Sequence, residues 1–355
     1  MKQILLLLTL AGGWLLTGCN RPPAAGKVWS GEKAAQWYAA QGWLRGCDFI
    51  PSTAVNQLEM WQEATFDTTT ISRELGYAAA IGFNSVRVYL HHVPWVTDAA
   101  GFRSRIGAYL SIAHRYGIST LFVFFDDCWN REYSAGPQPA PRPGVHNSGW
   151  VQDPGDAIHR NITLTDTLER YVKDILTHFG HDKRVLLWDL YNEPGNEGHR
   201  EKSLPLLKKV FRWAREINPD QPVSAGLWSW NLTEFNRFQA ENSDVITYHN
   251  YDKPEQHRQI IDTLRKLGRP LICTEYMART NGSRFDNIMP MLKEENIGAY
   301  NWGLVAGKTN TIYAWSTPMP DGKEPPLWFH DIFRKDGTPY KEEEVQLIRE
   351  LTGKR

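Results

Sequence analysis

Two glutamates in this 355-residue sequence each end a short apolar run, where they are placed for acid–base chemistry. Glu193 follows the run Val-Leu-Leu-Trp-Asp-Leu-Tyr-Asn at 185–192, and Glu275 follows Pro-Leu-Ile-Cys-Thr at 270–274. Runs of this length and composition predict buried strands. The first strand stops at Pro194, which has no backbone N–H to continue the hydrogen bonding. Two carboxylates at corresponding ends of two strands are what a two-carboxylate hydrolase requires.

The elements that carry these glutamates belong to a regular alternation of apolar runs and amphipathic segments. Predicted strands lie at 43–50, 84–90, 118–125, 185–192, 223–227, 245–248, 270–276 and 297–304. Predicted helices lie at 32–41, 67–81, 101–116, 164–179, 204–217, 231–239, 255–267, 284–295 and 341–351. Eight strands followed by helices predict a parallel sheet closed on itself, a single-domain (β/α)8 TIM barrel. An open doubly wound sheet is the alternative, but no glycine-rich phosphate turn follows the first strand.

In such a barrel the carboxyl ends of the strands meet at one face, so the side chains there converge. The polar and aromatic residues at the predicted strand ends are Arg87, Asp126, Asp127, Asn192, Glu193, Trp228, His249, Tyr251, Glu275 and Trp302. Some of the fifteen tryptophans fall in predicted loops and at strand ends, and flat aromatic faces suit sugar rings. The long connection from 128 to about 161 leaves the third strand, and we expect it to form a wall of the site.

These motifs resemble glycoside hydrolase clan A, and most closely family 5, the cellulase and mannanase family. The resemblance rests on Asn192-Glu193-Pro194, Thr274-Glu275-Tyr276, Arg87, His249-x-Tyr251 and Trp302, on the fourth, seventh, second, sixth and eighth strands. They follow the family's order and span nearly the whole mature chain. The resemblance implies a β-glycoside hydrolase that acts on β-linked polysaccharide or oligosaccharide.

By this resemblance Glu193 is the general acid/base and Glu275 the nucleophile, giving hydrolysis with retention through a covalent glycosyl-enzyme intermediate. An acid that holds its proton near neutral pH needs a raised pKa, and we expect the neighbouring carboxylate to raise that of Glu193. The nucleophile must stay ionised, and we expect Arg87 and Tyr251 to hydrogen-bond it. An interior salt bridge is the alternative role for Arg87. No metal or other cofactor is expected.

The resemblance also implies substrate contacts. Asn192 is expected to bind the sugar 2-hydroxyl, His249 to orient Glu193 or the sugar, and Trp302 to form the floor of the subsite where the bond breaks. For His249, Tyr251 and Trp302, a purely structural role is the alternative.

Three further residues, Asp126, Asp127 and Trp228, are expected to bind substrate because they lie at strand ends. Family 5 enzymes usually carry a histidine at the end of the third strand, where this chain has Asp126-Asp127-Cys128-Trp129. We therefore expect the partners of the sugar hydroxyls to differ there.

Residues 1–19 are predicted to be a bacterial lipoprotein signal peptide. A positive start and an apolar stretch at 4–16 precede Leu16-Thr17-Gly18-Cys19, which resembles a lipobox with Cys19 as the acylated residue. The stretch is shorter than the roughly 20 residues of a membrane span. Residues 20–30 are predicted to be a tether and 31–355 the (β/α)8 glycoside hydrolase domain. The predicted location is the bacterial cell envelope, with membrane contact through the lipid alone; an ordinary secretory signal is the alternative.

Composition excludes several classes of function. The 40 basic and 40 acidic residues balance, without a basic cluster, which argues against a nucleic-acid partner. The mature chain would keep Cys47, Cys128 and Cys273, which we expect to be buried thiols, and no Cys/His spacing predicts zinc. The alternative function is a catalytically inert carbohydrate-binding lipoprotein on the same barrel, but both glutamates are present, which favours the enzyme.

Overall fold

The computed structural model describes residues 25–161 and 163–354, and eight parallel strands surrounded by helices make up its centre. The strands are β1 Arg45–Asp48, β2 Ser85–Tyr89, β3 Ser119–Asp126, β4 Val185–Asn192, β5 Val223–Ser224, β6 Ile246–His249, β7 Leu271–Tyr276 and β8 Gly298–Trp302. The helices are α1 Gly31–Gln41, α2 Gln57–Trp61, α3 Thr68–Ala80, α4 His92–Thr97, α5 Ala99–Arg115, α6 Ala157–Arg160, α7 Leu164–Phe179, α8 Leu204–Ile217, α9 Thr233–Asn242, α10 Pro254–Arg265, α11 Phe285–Glu294 and α12 Glu342–Thr352.

The sheet runs in the order β5-β4-β3-β2-β1-β8-β7-β6. It closes between β5 and β6, where Leu227 pairs in parallel with Tyr248 and its backbone N–H donates to the Thr247 carbonyl at 3.0 Å. The predicted (β/α)8 barrel is therefore confirmed. Every predicted strand and helix is present with bounds that differ by at most three residues.

The apolar face of each helix explains how the outer layer forms. On α7, Leu168, Tyr171, Val172, Ile175 and Phe179 recur at spacings of one, three and four residues, and all are buried. The strands are buried on both faces, so β4 is apolar at most of its eight positions. Helices α2, α4 and α6 were not predicted, because they are too short to show a hydrophobic period.

Helix α1 closes the barrel at the amino-terminal ends of the strands. Its Tyr38 and the preceding Trp29 pack in one cluster with Leu121, Leu186 and Ile272, which lie near the starts of their strands. This end is filled with apolar side chains, so the opposite end is left for a site.

The expectations about the cysteines and the amino-terminal segment have different outcomes. Cys47 and Cys273 are buried free thiols as predicted, whereas the free thiol Cys128 is only partly buried. The predicted signal peptide with Cys19, and residues 20–24 of the tether, lie outside the described residues. No helix within the described ranges has the length and apolar character needed to cross a membrane.

Candidate active site

A cavity of about 440 Å³ opens at the carboxyl ends of the strands, a size within the roughly 300–1,000 Å³ of small-molecule sites. Seven of the predicted site residues line it, namely Asn192, Glu193, Trp228, His249, Tyr251, Glu275 and Trp302. Barrel closure thus brings residues from β4, β5, β6, β7 and β8 to one opening.

Glu275, the last residue but one of β7, is held by three donors. Arg87 Nη1 donates to its Oε1 at 2.8 Å, and the Tyr89 hydroxyl donates to the same oxygen at 3.0 Å. The Tyr251 hydroxyl donates to Oε2 at 2.7 Å. Burial and the Glu275 charge raise the pKa of Tyr251 well above its ordinary value, so its hydroxyl keeps the proton that it donates. These contacts hold both oxygens of the Glu275 carboxylate in place.

Arg87 is fully buried beneath the cavity and does not line it. Its guanidinium also pairs with Asp48 and Asp189, each at 2.8 Å, and donates to Asn192 Oδ1 at 2.6 Å. Burial disfavours its charge, but Tyr89 and the acids around it outweigh this effect and raise the pKa of Arg87 well above its ordinary value. Arg87 therefore contacts Glu275, the candidate nucleophile, as expected. It also forms the interior salt bridges that were the alternative role, so both roles apply.

Glu193 follows β4 with a backbone φ of 43°, in the left-handed region that favours glycine. A ring N–H of His249 donates from Nδ1 to Glu193 Oε1 at 2.8 Å. Glu193 Oε2 accepts from Asn196 Nδ2 at 2.6 Å and from the Cys128 thiol at 3.3 Å. A strained backbone held by this many contacts is typical of functional residues.

The pKa of Glu193 is lowered, contrary to the expectation that the neighbouring carboxylate raises it. Burial does raise this pKa, but the hydrogen bond and charge of His249, with the hydrogen bonds from Cys128 and Asn196, outweigh burial. The expectation of a raised pKa for Glu193 was therefore wrong.

The separation of the two carboxylates is short. One oxygen of Glu193 and one of Glu275 lie within 4.8 Å of each other, and a ring nitrogen of His249 lies within the same distance of both. His249 Nδ1 is 3.5 Å from Glu275 Oε2. The two acids therefore face each other across the floor of the cavity with the histidine beside them.

Asp126 and Asp127 do not line the cavity, contrary to their predicted contact with substrate. Asp126 accepts from Asn192 Nδ2 at 2.9 Å and from Trp150 Nε1 at 2.7 Å, while burial raises its pKa to about 7. Asp127 accepts from the Tyr191 hydroxyl at 2.8 Å and the Gly195 N–H at 2.7 Å, and burial raises its pKa to about 6. Both carboxylates hold the ends of β3 and β4 in place.

The sequence reading missed several residues of the site. Asp48, Tyr89 and Asp189 were overlooked. The two aspartates could have been recognised as charged residues inside apolar strands, and Tyr89 as the residue two positions after Arg87, on the same face of the strand. The other missed residues lie on loops and line the cavity: Cys128, Trp129, His146, Asn147, Asn196, Glu197, Trp230, Asn250, Asp252 and Trp315. Trp129, His146 and Asn147 come from the long connection after β3, which lines the cavity as expected.

The aromatic floor lies beside the acids. Trp302 is 9% exposed and packs edge-on against Tyr89 and Trp150, with ring centroids 5.8 and 5.5 Å apart. Trp228 and the exposed Trp230 lie at the other side of the cavity, on the loop after β5. A sugar between the carboxylates would therefore meet indole rings on more than one side.

Known structures share this fold at low sequence identity. An endo-1,4-β-D-mannanase from Thermotoga petrophila is 16% identical, with 86% of this chain and 99% of that chain covered at a TM-score of 0.55. GH5_18 from Streptomyces cattleya, in complex with GlcNAc, is 12% identical over 87% and 79% of the two chains, with a TM-score of 0.59. An exo-β-1,4-mannosidase from an Opitutaceae bacterium is 17% identical over 88% and 60%, also at 0.59. These similarities concern the fold.

The family is indicated by the sequence itself. Residues 144–307, a little under half of the chain, match the family model for cellulase (glycosyl hydrolase family 5). No curated protein matches the chain. The matched segment contains Glu193 and Glu275. Together with the barrel, this match supports the predicted glycoside hydrolase similar to family 5.

Proposed function

We propose that this glycoside hydrolase cleaves β-linked polysaccharide or oligosaccharide with retention of configuration. Glu275 attacks the anomeric carbon while Glu193 protonates the departing oxygen, and Glu193 then removes a proton from the water that hydrolyses the glycosyl-enzyme. The observation that carries this proposal is the approach of the two carboxylates to within 4.8 Å. Retaining enzymes have carboxyl groups about 5–5.5 Å apart, whereas inverting enzymes separate them by about 6.5–9.5 Å to admit a water.

The surroundings of Glu275 suit a nucleophile. Arg87, Tyr89 and Tyr251 donate hydrogen bonds to its carboxylate and fix its two oxygens in place. An anion that is oriented before the substrate arrives loses little freedom on reaching the transition state. When the ester forms on one oxygen, the donors on the other oxygen remain engaged.

The surroundings of Glu193 suit an acid that is held in a fixed position. Glu193 and His249 are joined by a 2.8 Å hydrogen bond, which orients the Glu193 carboxylate. A sugar in this buried site displaces water, which disfavours the charged form of Glu193 and so favours its protonation. We therefore assign His249 the role of positioning Glu193.

The sugar contacts follow from the same geometry. Asn192 Oδ1 accepts from Arg87, and its amide nitrogen donates one hydrogen to Asp126. The other amide hydrogen faces Cys128 Sγ at 3.4 Å, a weak acceptor that a sugar 2-hydroxyl would replace. Trp302 and Trp228 provide flat surfaces on either side of the bond that is cut.

The test uses Glu193→Gln and Glu275→Gln, with Glu201→Gln on the exposed part of the loop after β4 as control. Each active-site variant is expected to stay folded and to lose activity by about 10²–10⁴-fold or more, while the control keeps it. Activity is measured on a panel of β-glucans, mannans, xylans and galactans, and the anomer first released is identified by NMR. Full activity in either variant, or release of the inverted anomer, would reject the mechanism.

The same panel separates the enzyme from an inert carbohydrate-binding protein. An inert protein would bind an oligosaccharide in calorimetry without releasing new reducing ends. We expect release by the unmodified protein and binding without release by Glu275→Gln.

We also propose that the protein is a lipoprotein of the bacterial cell envelope, attached through Cys19. The support is the lipobox-like Leu16-Thr17-Gly18-Cys19 after an apolar stretch. Expression in a bacterium with labelled palmitate is expected to label the protein and to place it in the membrane fraction. Cys19→Ser should abolish the label; a labelled Cys19→Ser protein would contradict the proposal.

A further inference from the structure

One side of the cavity is closed by a wall of four residues from two loops. Trp129, His146 and Asn147 come from the connection after β3, and Trp315 comes from the connection after β8. The ring of His146 packs against Trp129 and Trp315, with centroids 5.2 and 6.4 Å apart. The wall is therefore continuous from one loop to the other.

The two loops are fastened together by backbone contacts. The Asn147 N–H donates to the Thr309 carbonyl at 2.8 Å, and the Met319 N–H donates to the Gly144 carbonyl at 2.9 Å. A Cβ on Gly144 would lie 1.7 Å from the Met319 carbonyl oxygen, so only glycine allows this approach. The wall is part of a fixed junction between the loops.

The junction is also bonded to loops of other strands. The Lys308 N–H donates to the Ser52 carbonyl at 3.0 Å, which connects it to the loop after β1. His330 Nδ1 is 2.6 Å from the Met277 carbonyl, which connects it to the loop after β7. These contacts join the loops after β1, β3, β7 and β8 along one side of the cavity mouth. In contrast, Trp230 on the loop after β5 is 38% exposed.

The wall presents two polar groups that have no partner within the described residues. Asn147 is 1% exposed, its Oδ1 is buried and unpaired, and its side chain makes no hydrogen bond to the described part of the chain. Burial lowers the pKa of His146 to about 4, so its ring is neutral. Since its Nδ1–H donates to the Tyr313 carbonyl at 2.7 Å, Nε2 is left as an acceptor.

Backbone strain in the wall also indicates a functional role. Asn147 and Trp129 have φ values of 43° and 73°, like Glu193 at 43°. Non-glycine residues in this region cost free energy and collect at functional sites. An unpaired buried amide adds a further cost, which a bound hydroxyl would remove.

The wall lies near both catalytic carboxylates, with one residue between the wall and each of them. Trp129 follows Cys128, whose thiol is 3.3 Å from Glu193. Trp315 packs edge-on against Tyr251 with centroids 4.9 Å apart, and Tyr251 is hydrogen-bonded to Glu275. The space between the carboxylates and the wall therefore suits one pyranose ring lying on Trp302.

We infer that this wall makes the site a pocket for a chain end, so that the enzyme removes single sugar residues from the non-reducing end of β-linked chains. Asn147 and His146 bind the hydroxyl of that terminal residue, which is the 4-hydroxyl because it lies opposite the anomeric carbon. The leaving part of the chain extends past Trp228 and Trp230. This inference rests on the proposed assignment of Glu193 and Glu275.

The experiment begins with aryl β-glycosides of single sugars, which identify the sugar accepted. A pentasaccharide of that sugar, labelled at its reducing end, is then digested and sampled early. Free monosaccharide and labelled tetrasaccharide are expected as the first products. The double variant His146→Ala/Trp315→Ala opens the wall and is expected to add shorter labelled products.

The single variant Asn147→Gly tests the hydroxyl contact, because glycine tolerates the positive φ and the amide has no internal partner to lose. We expect kcat/KM to fall by about three- to tenfold, the equivalent of one hydrogen bond, with a Tm that does not fall. Asn218→Gly is the matched control, an exposed asparagine with φ 57° at the end of α8, and should change neither.

The outcomes separate the two proposals. Labelled products of mixed length from the unmodified enzyme at early times, or unchanged kcat/KM in Asn147→Gly, would overturn the inference while leaving retaining hydrolysis intact. No hydrolysis of any substrate, or full activity in Glu193→Gln or Glu275→Gln, would overturn the proposed function itself. Should the double variant fail to fold, the labelled digestion by the unmodified enzyme and the Asn147→Gly variant still test the inference.

Discussion

Removal of the Arg87 cation is the most direct test of how the site is held together. Arg87 contacts the buried carboxylates of Asp48, Asp189 and Glu275, all at 2.8 Å. Arg87→Met keeps an unbranched apolar stem but leaves three acids without their cation. Breaking a buried ion pair from one side typically costs about 3–5 kcal/mol, so we expect a loss of at least that size in the free energy of unfolding at neutral pH.

The loss should depend on pH in a definite direction. Burial already raises the pKa of Asp48 well above its ordinary value even though Arg87 lowers it. Without Arg87 the folded-state pKa of Asp48 rises further above its unfolded value of about 4. A carboxyl group whose pKa is higher in the folded than in the unfolded protein contributes stability at pH values below the unfolded pKa. This contribution is lost as pH rises through the folded pKa. The destabilisation should therefore grow with pH, by up to about 1.4 kcal/mol per pH unit for each proton.

The assay is urea unfolding followed by tryptophan fluorescence, at pH values from about 5 to about 8. Arg279→Met is the matched control, because Arg279 is also buried but pairs with the single carboxylate of Glu344 and otherwise with backbone carbonyls. We expect a weaker pH dependence for the control. A destabilisation by Arg87→Met that stays constant or shrinks as pH rises would refute the reasoning.

Two further predictions concern the neighbours of the acid/base. In His249→Ala, burial becomes the main influence on Glu193, so its pKa should rise by about 1–2 units, the equivalent of a charge-assisted hydrogen bond of about 1.5–3 kcal/mol. A ¹³C NMR titration of labelled glutamate, assigned with Glu193→Gln, measures this, and a fall in the pKa would contradict it. Asp127→Ala leaves the Tyr191 hydroxyl and Gly195 N–H without their acceptor, and should lower the free energy of unfolding by about 1–3 kcal/mol. It should also lower kcat, because Glu193 loses its position. An unchanged kcat with unchanged stability would show that Asp127 does not support the loop.

The barrel and the location of Glu193 and Glu275 at one end of it were predictable because they depend on local patterns. The eight apolar runs each fold into a strand, and in parallel strands the residue after the run must emerge at the common end. Glu193 and Glu275 could therefore be placed without knowing any contact. Helices α7 and α8 were predicted at their observed bounds, since each carries a long apolar stripe.

The expectations that failed have causes that lie partly outside the local sequence. Asp126 ends β3 and Asp127 follows it, so the alternation of side chains turns the second acid outward toward Tyr191 and Ser203. The lowered pKa of Glu193 depends on a partner 56 positions away on β6. No pattern within one segment reveals such a partner.

The wall of the cavity was beyond sequence reasoning for a related reason. It requires the loop after β3 to meet the loop after β8, through contacts such as Asn147 to Thr309. Backbone hydrogen bonds between irregular segments carry no residue preference strong enough to read from the chain. Only the location of one loop beside the cavity could be expected.

The amino-terminal segment determines how the molecule would stand on a membrane. The Gly26 N–H donates to the Arg215 carbonyl at 2.7 Å and the Trp29 N–H to Asp244 at 2.8 Å, both at the end of the barrel remote from the cavity. The seven residues from 20 to 26 reach at most about 25 Å when fully extended. A protein attached through Cys19 would thus sit close to the lipid surface with its substrate opening directed outward, toward free chain ends arriving from the surrounding medium.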